Sequence, residues 1–592
     1  MNEAFLQQSS TGLWLCFDTP LRIIEARVPN DVLPALREVE RLVEENSWYA
    51  VGFVTYEAAP GFDNALRTQT CNAVEQYLPL LRFALYATPE ILPTSKLFPA
   101  IEKATVVSAP DAWLPSVDLF AYSAAIDTIH EHLARGNTYQ VNYTWRLRGQ
   151  LTGDPQCWFG EMVRAQSSRH AAYLDIGKFV ILSASPELFF SLDGRRLITR
   201  PMKGTAARAS DSDTDIARAT ALRASAKDRA ENVMIVDMMR NDLGRIADLG
   251  SVQVSRLFAI EQYSTVWQMT STVEAVTDHS VSEIFRALFP AASVTGAPKA
   301  NTMGLIADLE TTPRGLYTGA VGFIAPGRRA EFNVAIRTVV LDRTTSIAEY
   351  GVGGGIVWDS ETGSEYAECL AKAQVLWVRR PRFSLLETLL WTSTDGFSLL
   401  EEHLERISKS ASYFGYPVSL EEMRQALIEI SLCFFYSSQR VRLLLDEDGI
   451  IRTESTPLDQ CSEKVSLVLA TTAIDSSDPF FYHKTTHRAD YERFRRESPG
   501  GDDVLLWNEY GEITETTIAN VVVEFDGERI TPPITAGLLA GTYRRRLLAE
   551  GTIREETIKL TDLARANSLW VINSVRGWRR ASLNGYSLNG FS

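Results

Sequence analysis

The chain has 592 residues, of which 45% are hydrophobic and 22% are charged, and its formal net charge is −15. A chain of this length is too long for one hydrophobic core, so we expect two or more domains. The acidic balance argues against a nucleic-acid-binding protein, which normally presents a basic face, although local arginines can still hold an anionic substrate.

Signals for targeting and for disulfide bonding are few. The six cysteines are scattered without a C-x-x-C pair, which is typical of a reduced protein and not of a disulfide framework or a zinc site. The N-terminal stretch has no basic segment followed by an apolar one, and no apolar run approaches ~18 residues. We therefore expect neither a signal peptide nor a transmembrane helix, no membrane or nucleic-acid partner, and a cytoplasmic location.

The N-terminal region mixes short strand-like runs with turns. A helical pattern begins near Ser123 and ends at Gly136, and residues 138–151 then alternate polar and apolar side chains like a strand. Further strands, such as Phe179–Ala184, alternate with helices in the sequence that follows, and no segment is repeated.

A basic, proline-containing seam at Val378–Phe383 divides the chain, because the pattern restarts after it. Residues 383–391 are predicted to form a strand, and residues 399–415 an amphipathic helix that ends at a glycine. The predicted domains are therefore residues 1–380 and residues 381–592.

A single lysine, Lys203, stands at a predicted turn between a proline and the flexible pair Gly204–Thr205. Such a lysine is usually an ordinary surface ammonium group. Further along the chain, the glycine-rich run Tyr350–Gly355 offers backbone amides that can face a carboxylate, although a lone glycine run is a weak signal.

Two predicted helices carry carboxylates on one face. The first, residues 226–245, carries Glu231, and the second carries Glu365, Glu368 and Lys372. Each face alone is more often solvated. Together they offer two carboxylates to one hard cation such as Mg2+, which takes its remaining ligands from water and substrate oxygens.

Seven motifs occur in an order that is similar to one enzyme family. They are RPMKGT, KDRAENVMIVDMMRNDLGR, SVTGAPK, YTGAVG, AIRT, GVGGGIVWDS and SEYAECLAK, and with their surroundings they span residues 120–376. In this order they resemble the chorismate-utilising enzymes, and among these the large component of the aminodeoxychorismate synthases. The resemblance implies a large α/β (α+β) fold, a two-sheet sandwich that binds substrate and Mg2+ between its sheet-and-helix layers.

The resemblance also assigns residues by position. Glu231 and Glu368 would bind Mg2+, with Glu365 nearby. Glu187 would be the acid that assists departure of the 4-hydroxyl group of chorismate, whereas without the resemblance it reads as a surface glutamate at a strand edge. The residues expected to bind the substrate are Gln140, Tyr317, Arg337, Gly353, Gly354, Gly355 and Lys372.

Two positions distinguish members of this family. Relatives that add water to chorismate have a lysine base where this chain has Gln140, and a glutamine cannot deprotonate water. Anthranilate synthases have alanine at the position of Lys203, which in enzymes resembling the aminodeoxychorismate synthases is the nucleophile that attacks C2. We expect Arg200, Arg208 and a nearby metal to lower the pKa of this amine. One departure from the family is Gln268, which stands where a histidine is usual, so its role is open.

A second lysine site lies in the C-terminal domain. Lys484 stands in an aromatic and polar turn, and the patterns over about residues 384–580 resemble the class IV pyridoxal-phosphate enzymes of the aminotransferase/lyase type. The resemblance implies a smaller domain of fold type IV in which Lys484 forms the Schiff base, Glu515 pairs with the pyridine nitrogen and Arg406 binds the phosphate. Further cofactor contacts are expected from Gly541, Thr542 and Ser574.

Together the two halves predict synthesis of 4-aminobenzoate, a folate precursor. The first would convert chorismate and ammonia to 4-amino-4-deoxychorismate, and the second, a lyase, would eliminate pyruvate. The sequence contains no recognisable Cys/His/Glu glutaminase arrangement, so we expect ammonia from a separate glutamine amidotransferase subunit.

Several alternatives stay open at this point. The first half would form anthranilate in one of them, and the second half would be a branched-chain or D-amino-acid transaminase in another. In a third, one half only binds a ligand or a partner. A homodimer through the second domain is expected by analogy, whereas passage of the intermediate between sites and regulation by an aromatic amino acid stay open.

Overall fold

The structure is a computed structural model, and it describes residues 3–69, 78–97, 113–377, 380–435, 437–458 and 464–585. Cys71, Cys461 and the first two residues of the predicted basic seam, Val378 and Arg379, lie outside the described residues. Within the described ranges, no helix combines the length and the apolar composition that crossing a bilayer requires.

The chain divides into two compact units. One contains residues 1–207 and 219–380, and the other contains residues 208–218 and 381–592. The change from the first unit to the second therefore falls after Arg380, and a short segment from within the first half of the sequence belongs to the second unit.

The first unit contains two ten-stranded sheets, and every strand pairing in its described part is antiparallel. The strands of one sheet, in spatial order, are Gly296–Ala297, Gln140–Gln150, Ile347–Ile356, Thr338–Asp342, Phe179–Ser185, His170–Asp175, Ala4–Gln7, Trp14–Phe17 and Glu90–Leu92, with Trp113–Pro115 beside Gln140–Gln150. Those of the other are Met202–Ala207, Val266–Val276, Arg196–Arg200, Leu188–Asp193, Arg329–Val334, Ala320–Ala325, Tyr49–Val54, Leu81–Tyr86 and Arg22–Ala26, with Gln253–Gln262 beside Val266–Val276.

Helices cover the outer faces of these two sheets, and the inner faces meet in a shared core that includes Phe17 and Phe323. The helices Leu119–Ala134, Pro155–Gln166 and Thr362–Ala373 pack on the first sheet, and Pro29–Asn46, Ala226–Gly244 and Val281–Leu288 pack on the second. In the described part of the first 380 residues, the remaining helices are Ala59–Phe62, Thr94–Leu97, Lys299–Leu309 and Ser212–Ala224, the last of which begins in the segment that belongs to the second unit. This layered arrangement confirms the predicted two-sheet sandwich.

A capping side chain and a glycine explain where the helix Leu119–Ala134 begins and ends. The helix predicted from Ser123 begins earlier, at Leu119, because the Asp118 side chain accepts a hydrogen bond from the Ala121 amide at 2.8 Å and caps the first turn. Gly136 follows this helix with a φ of 70°, the left-handed conformation that ends helices and that glycine adopts without strain.

Lys203 lies on a strand and not at the predicted turn. The strand Met202–Ala207 pairs with Val266–Val276, and its register shifts between Met202 and Thr205. Gly204, with a φ of 91°, supplies the backbone conformation for this bulge. The sequence pattern did not indicate a strand here because the pairing partner lies far away in the chain and the proline and glycine resemble turn signals.

The second unit combines a four-stranded antiparallel sheet with an eight-stranded mixed sheet. The strands of the smaller sheet are Gly396–Phe397, Leu385–Thr392, Ser438–Leu445 and Ile451–Pro457, and the helices Leu400–Phe414 and Leu420–Ser431 pack on it. The larger sheet has the order Ile513–Thr516, Asp503–Trp507, Lys464–Leu469, Gly577–Leu583, Ser568–Asn573, Asn520–Phe525, Glu528–Thr531 and Arg554–Glu555.

The larger sheet closes on itself. Ile513–Thr516 also pairs with Asn520–Phe525, which joins six strands into a ring around a core that includes Leu467 and Val521. The helices Ala489–Glu497 and Thr542–Ala549 complete this unit, and both adjoin residues that the sequence assigned to the second site. A smaller α/β unit after the sandwich agrees with the predicted fold class.

Candidate active sites

The first candidate site forms where Lys203 meets the glycine-rich strand Ile347–Ile356. A Cβ atom added to Gly355 would lie 2.5 Å from the Lys203 Nζ and 2.9 Å from the Gln140 Nε2. The three residues therefore converge on one point, and only glycine leaves room there for the amine. Both polar atoms of the Gln140 amide are buried without a hydrogen-bond partner in the described part of the chain, so they are available to a bound ligand.

Burial dominates the electrostatics of Lys203. It lowers the pKa of the amine, nearby glutamates oppose this effect, and the charge of Lys372 lowers the pKa further. A lowered pKa increases the fraction of neutral amine, which is the form that attacks an electrophile. Neither Arg200 nor Arg208 is among the main causes of this shift, and each guanidinium pairs with a carboxylate of its own.

Glu187 is a buried acid and not the surface glutamate that its sequence context suggests. The Ser293 Oγ donates a hydrogen bond to its Oε1 at 2.6 Å. Burial raises the pKa of Glu187 to about 7, against the opposing effects of Ser293 and of the Lys203 charge. The carboxyl group can therefore hold a proton near neutral pH. Ser293 is the first residue of the motif SVTGAPK, but sequence analysis assigned it no role, because its contact with Glu187 joins residues that are distant in the chain.

The three glutamates assigned to a metal lie close to this point. Glu368 pairs with the Lys372 Nζ at 2.8 Å, and the Glu365 Oε2 lies 3.0 Å from a Cβ added to Gly354. Burial raises the pKa of Glu231, and the Glu365 charge contributes to the increase. Among the described residues, no three such side chains are already arranged around a metal position. Carboxylates that leave room for substrate and water are nevertheless the donor set that Mg2+ favours, so the residues fit this ion.

Arg337 joins the same network through backbone carbonyls. Its Nη1 donates to the Lys372 carbonyl, which also accepts from the Tyr350 hydroxyl at 3.0 Å. The Lys372 Nζ in turn donates to the Gly353 carbonyl at 2.9 Å. Arg337 has a φ of 51°, a left-handed conformation that is unfavourable for a residue with a side chain and that occurs preferentially at functional sites.

Tyr317 is not brought to Lys203 by the described contacts. Its ring packs against Gly351, where an added Cβ would lie 2.1 Å from the ring, and the Arg146 guanidinium lies 5.2 Å from its centroid. Tyr317 lines a separate cavity of about 1250 Å3, to which neither Lys203 nor Glu187 contributes. Its predicted contact with the substrate stays a prediction.

Gln268, whose role the sequence left open, supports the strand that carries Lys203. Its Nε2 donates to the Gly204 carbonyl at 2.9 Å, and its Oε1 accepts from the Thr205 hydroxyl at 3.1 Å. These bonds hold the bulge beside the lysine, so the side chain has a structural function that needs no titratable group.

The second candidate site is a cavity of about 550 Å3 in the second unit. The sequence assigned six residues to a cofactor, and they belong to different elements of the second unit, namely a loop, two helices, a strand and the end of another strand. In the fold these elements meet at this cavity. All six line it, namely Lys484, Glu515, Arg406, Gly541, Thr542 and Ser574.

The lysine and the glutamate of this cavity both have shifted pKa values. Burial lowers the pKa of Lys484 to about 8, and the Arg406 charge contributes. Burial raises the pKa of Glu515 to about 8, although Tyr491 and Asn520 donate hydrogen bonds to its oxygens at 2.9 and 3.1 Å. Glu515 has no cationic ion-pair partner among the described residues, and the protonated pyridine nitrogen of pyridoxal phosphate would supply one, so the residues fit this cofactor.

Arg406 is held by a buried network that sequence analysis did not find. Its Nε and Nη2 donate to the two oxygens of Glu387 at 2.8 and 2.6 Å. The same carboxylate contacts the His403 Nδ1 at 2.6 Å, and the His403 Nε2 lies 3.2 Å from the Thr542 hydroxyl. Burial alone would raise the pKa of Glu387, but Arg406 and His403 hold it at about 2. Two groups assigned to the phosphate are thus linked through one carboxylate.

Gly541 caps the helix Thr542–Ala549 beside this network. A Cβ at this position would lie 2.0 Å from the Asn520 Oδ1, so glycine is required for the loop to approach the strand. The exposed backbone amides at the start of the helix form a site that is suited to a phosphate.

Comparisons with known proteins follow the division into two units. The family described as chorismate binding enzyme matches residues 2–377, and the family described as amino-transferase class IV matches residues 384–583. Aminodeoxychorismate synthase from Streptomyces griseus is 40% identical over 44% of this chain and 36% of its own length. Aminodeoxychorismate synthase component 1 from Bacillus subtilis is 39% identical over 43% of this chain and 54% of its own length.

The aligned part of the chain thus spans between about a third and about a half of these curated relatives. Among solved structures, anthranilate synthase component I from Streptococcus pneumoniae has a TM-score of 0.51 at 24% sequence identity. This similarity covers 63% of the present chain and 92% of the other, and it shows a shared fold.

Proposed function

Because the chain belongs to the chorismate-binding enzyme family and also carries a class IV aminotransferase domain, we propose that it makes 4-aminobenzoate in two steps. The first unit converts chorismate and ammonia to 4-amino-4-deoxychorismate and water. The second unit converts this product to 4-aminobenzoate and pyruvate. The observation that carries the proposal is the convergence of Lys203, Gln140 and Gly355 on one point. The reaction also needs an acid, and the buried Glu187 lies close enough for the Lys203 charge to affect its pKa.

In the first step, the neutral amine of Lys203 forms a bond to C2 of chorismate while the bond between C4 and its hydroxyl group breaks. Glu187, protonated because burial raises its pKa to about 7, donates a proton so that the hydroxyl leaves as water. Ammonia then forms a bond to C4, the bond from C2 to Lys203 breaks, and the surplus proton of ammonia returns to Glu187.

The remaining residues of the first site hold the substrate. Arg337 and the amides of Gly353 to Gly355 are proposed to bind its carboxylates, together with Lys372, Tyr317 and the unpaired amide of Gln140. Mg2+, held by Glu231 and Glu368 with Glu365 nearby, would neutralise carboxylate charge at this site. Gln140 cannot act as a base toward water, which disfavours a hydroxylated product.

In the second step, pyridoxal phosphate supplies an electron sink for the carbon that bears the amino group. Lys484 removes the proton from this carbon, and the bond between the neighbouring ring carbon and the ether oxygen breaks. The released enolpyruvate takes up a proton to become pyruvate. Glu515 is proposed to face the ring nitrogen, while Arg406, Gly541, Thr542 and Ser574 bind the phosphate.

Two partners follow from this scheme. A separate glutamine amidotransferase subunit is proposed to supply ammonia, and the name of the Bacillus subtilis relative, component 1, implies a further component for that protein. A homodimer through the second unit is proposed by analogy with class IV enzymes. We place both reactions in the cytoplasm, where chorismate is expected to be available.

The proposal is tested by product analysis. Purified protein receives chorismate, Mg2+, an ammonium salt and pyridoxal phosphate, and the products are separated by chromatography with fluorescence detection. We expect 4-aminobenzoate and an equimolar amount of pyruvate. Anthranilate as the product would contradict the role of Lys203, transamination without loss of the ether side chain would contradict the lyase, and unconverted chorismate would leave the first unit a binding domain.

A further inference from the structure

The cavity around Lys484 carries an excess of positive charge. Seven arginines and Lys484 line it, and within the described lining Glu515 is the single acid. Three of the arginines are neutralised by carboxylates: Arg406 by Glu387, Arg442 by Glu454 and Arg544 by Glu555, at 2.6, 2.7 and 2.6 Å. The cavity therefore contains more guanidinium groups than the cofactor phosphate and the internal ion pairs require.

Two of the remaining arginines, Arg440 and Arg488, have no carboxylate partner in the part of the chain that the structure describes. The Arg440 Nε donates to the Thr456 hydroxyl at 3.2 Å. Arg488 donates to the Thr517 carbonyl and lies 4.5 Å from the centroid of the Tyr491 ring. Both guanidinium groups keep donors for a ligand, because each has five N–H groups and the contacts use only some of them.

The two arginines approach the cavity from different elements. Arg440 lies on the strand Ser438–Leu445, on the same face as Arg442, and it is exposed to solvent. Arg488 immediately precedes the helix Ala489–Glu497, four residues after Lys484, and it is half-buried. A ligand that reaches both would have anionic groups at two separate places.

We propose that Arg440 and Arg488 bind the two carboxylates of a dicarboxylate substrate in this cavity. The inference rests on the proposed function, whose intermediate carries one carboxylate on the ring and one on the ether side chain. A guanidinium group recognises a carboxylate through two parallel hydrogen bonds, and two such groups give a preference for a dianion. A branched-chain amino acid carries a single carboxylate and an apolar side chain, so at least one of the two arginines would lack an anionic partner, and the same feature argues against that transaminase reaction.

The test uses two stable probes with the full chain loaded with pyridoxal phosphate. One is 3-(carboxymethoxy)benzoate, a dianion with the carboxylate spacing of the intermediate, and the other is 3-methoxybenzoate, the corresponding monoanion. Binding is followed by the change in the absorbance band of the bound cofactor, which reports on the second unit and excludes binding to the first. We expect the dianion to bind at least about tenfold more tightly, the difference that one charged hydrogen-bond pair provides.

The variants Arg440→Gln and Arg488→Gln should each weaken dianion binding by about tenfold or more and leave monoanion binding less affected. Arg493→Gln is the matched control, because Arg493 is an arginine outside the cavity that pairs with Asp490. Arg488→Lys should restore part of the affinity, and cofactor absorbance per chain shows that each variant is folded and loaded.

Equal binding of the two probes by the unmodified protein would overturn the inference, as would unchanged dianion affinity in both glutamine variants. These results are distinct from a failure of the proposed function. If 4-aminobenzoate forms but the variants bind the dianion normally, only the inference fails. If chorismate is not converted but the arginine-dependent preference is found, the dicarboxylate site stands and the proposed reaction fails.

Discussion

Gly355 is the residue whose replacement most directly tests the geometry of the first site. In the variant Gly355→Ala, the new methyl group would lie 2.5 Å from the Lys203 Nζ and displace it. We expect chorismate consumption to fall by at least about a hundredfold, because a displacement of about 1 Å at a reacting group has this effect. Steady-state rates with saturating ammonia measure the loss.

Gly304→Ala is the control for this substitution. Gly304 lies inside the helix Lys299–Leu309, and an added Cβ would meet no atom within 4 Å. Alanine there should leave activity unchanged and raise the free energy of unfolding by about 0.4–1 kcal/mol. Full activity of Gly355→Ala would show that Lys203 does not have to approach the glycine strand.

Because Glu187 must be protonated to act as an acid, we expect the rate of the first step to depend on pH. The pKa of Glu187 is raised to about 7, and the acid acts only when protonated, so its contribution to the rate is present below this pH and is lost as the pH rises through it. Rates of chorismate consumption should be measured with the concentration of neutral ammonia held constant. Glu187→Gln should lower the rate by about 10²–10⁴-fold and remove the decline above neutral pH. A decline that persists in this variant would assign it to another group.

The residues that the proposed chemistry uses could be named from the sequence, whereas their electrostatic surroundings could not. Lys203, Lys484 and Glu515 were named from local motifs, and in the structure Lys203 approaches Gly355 while Lys484 and Glu515 line one cavity. The partners themselves, such as Ser293 beside Glu187, are distant in the chain and leave no periodic pattern. For the same reason the sequence did not indicate that Arg200 pairs with Glu261, and its expected effect on the pKa of Lys203 stays a prediction.

At the scale of elements, the strand Leu385–Thr392 and the helix Leu400–Phe414 are joined through the carboxylate of Glu387, which bonds to Arg406 and His403. In Glu387→Gln, Arg406 loses its charged partner, and His403 loses the carboxylate that it contacts. We expect the dissociation constant of pyridoxal phosphate to rise by about tenfold or more, as for the loss of one charge-assisted hydrogen bond. Titration followed by cofactor absorbance measures it.

Glu401→Gln is the matched control for the Glu387 variant. Glu401 is also a glutamate that pairs with an arginine, Arg424, at 2.7 Å, but the pair is exposed and neither residue lines the cavity. Its loss should change cofactor affinity little, because exposed ion pairs contribute little to stability. If both variants bound the cofactor like the unmodified protein, the Glu387 network would have no part in forming the phosphate site.

Long, periodic elements were predicted well, because their burial follows from their own sequence. The helix Ala226–Gly244 and the strand Gln140–Gln150 lie close to their predicted positions. The strand that carries Lys203 was missed, since its pairing with Val266–Val276 is non-local and tolerates a glycine bulge. Closure of the larger sheet of the second unit is likewise a property of non-local pairing and left no signal in the sequence.

For the whole molecule, the order of motifs indicated a chorismate-binding sandwich followed by a class IV domain, and both family assignments are confirmed. The sequence also indicated a change of fold near residue 380, and the second unit resumes at Pro381. It gave no sign that residues 208–218 belong to the second unit, because that assignment depends on tertiary contacts.

The central claim, that the two lysines serve successive reactions, is tested most directly by following chorismate, 4-amino-4-deoxychorismate and 4-aminobenzoate in single-lysine variants. We predict that Lys484→Ala consumes chorismate normally and accumulates 4-amino-4-deoxychorismate without releasing pyruvate. Lys203→Ala should consume chorismate at least about a hundredfold more slowly yet still convert supplied 4-amino-4-deoxychorismate. Formation of 4-aminobenzoate from chorismate at the unmodified rate by either variant would contradict the claim.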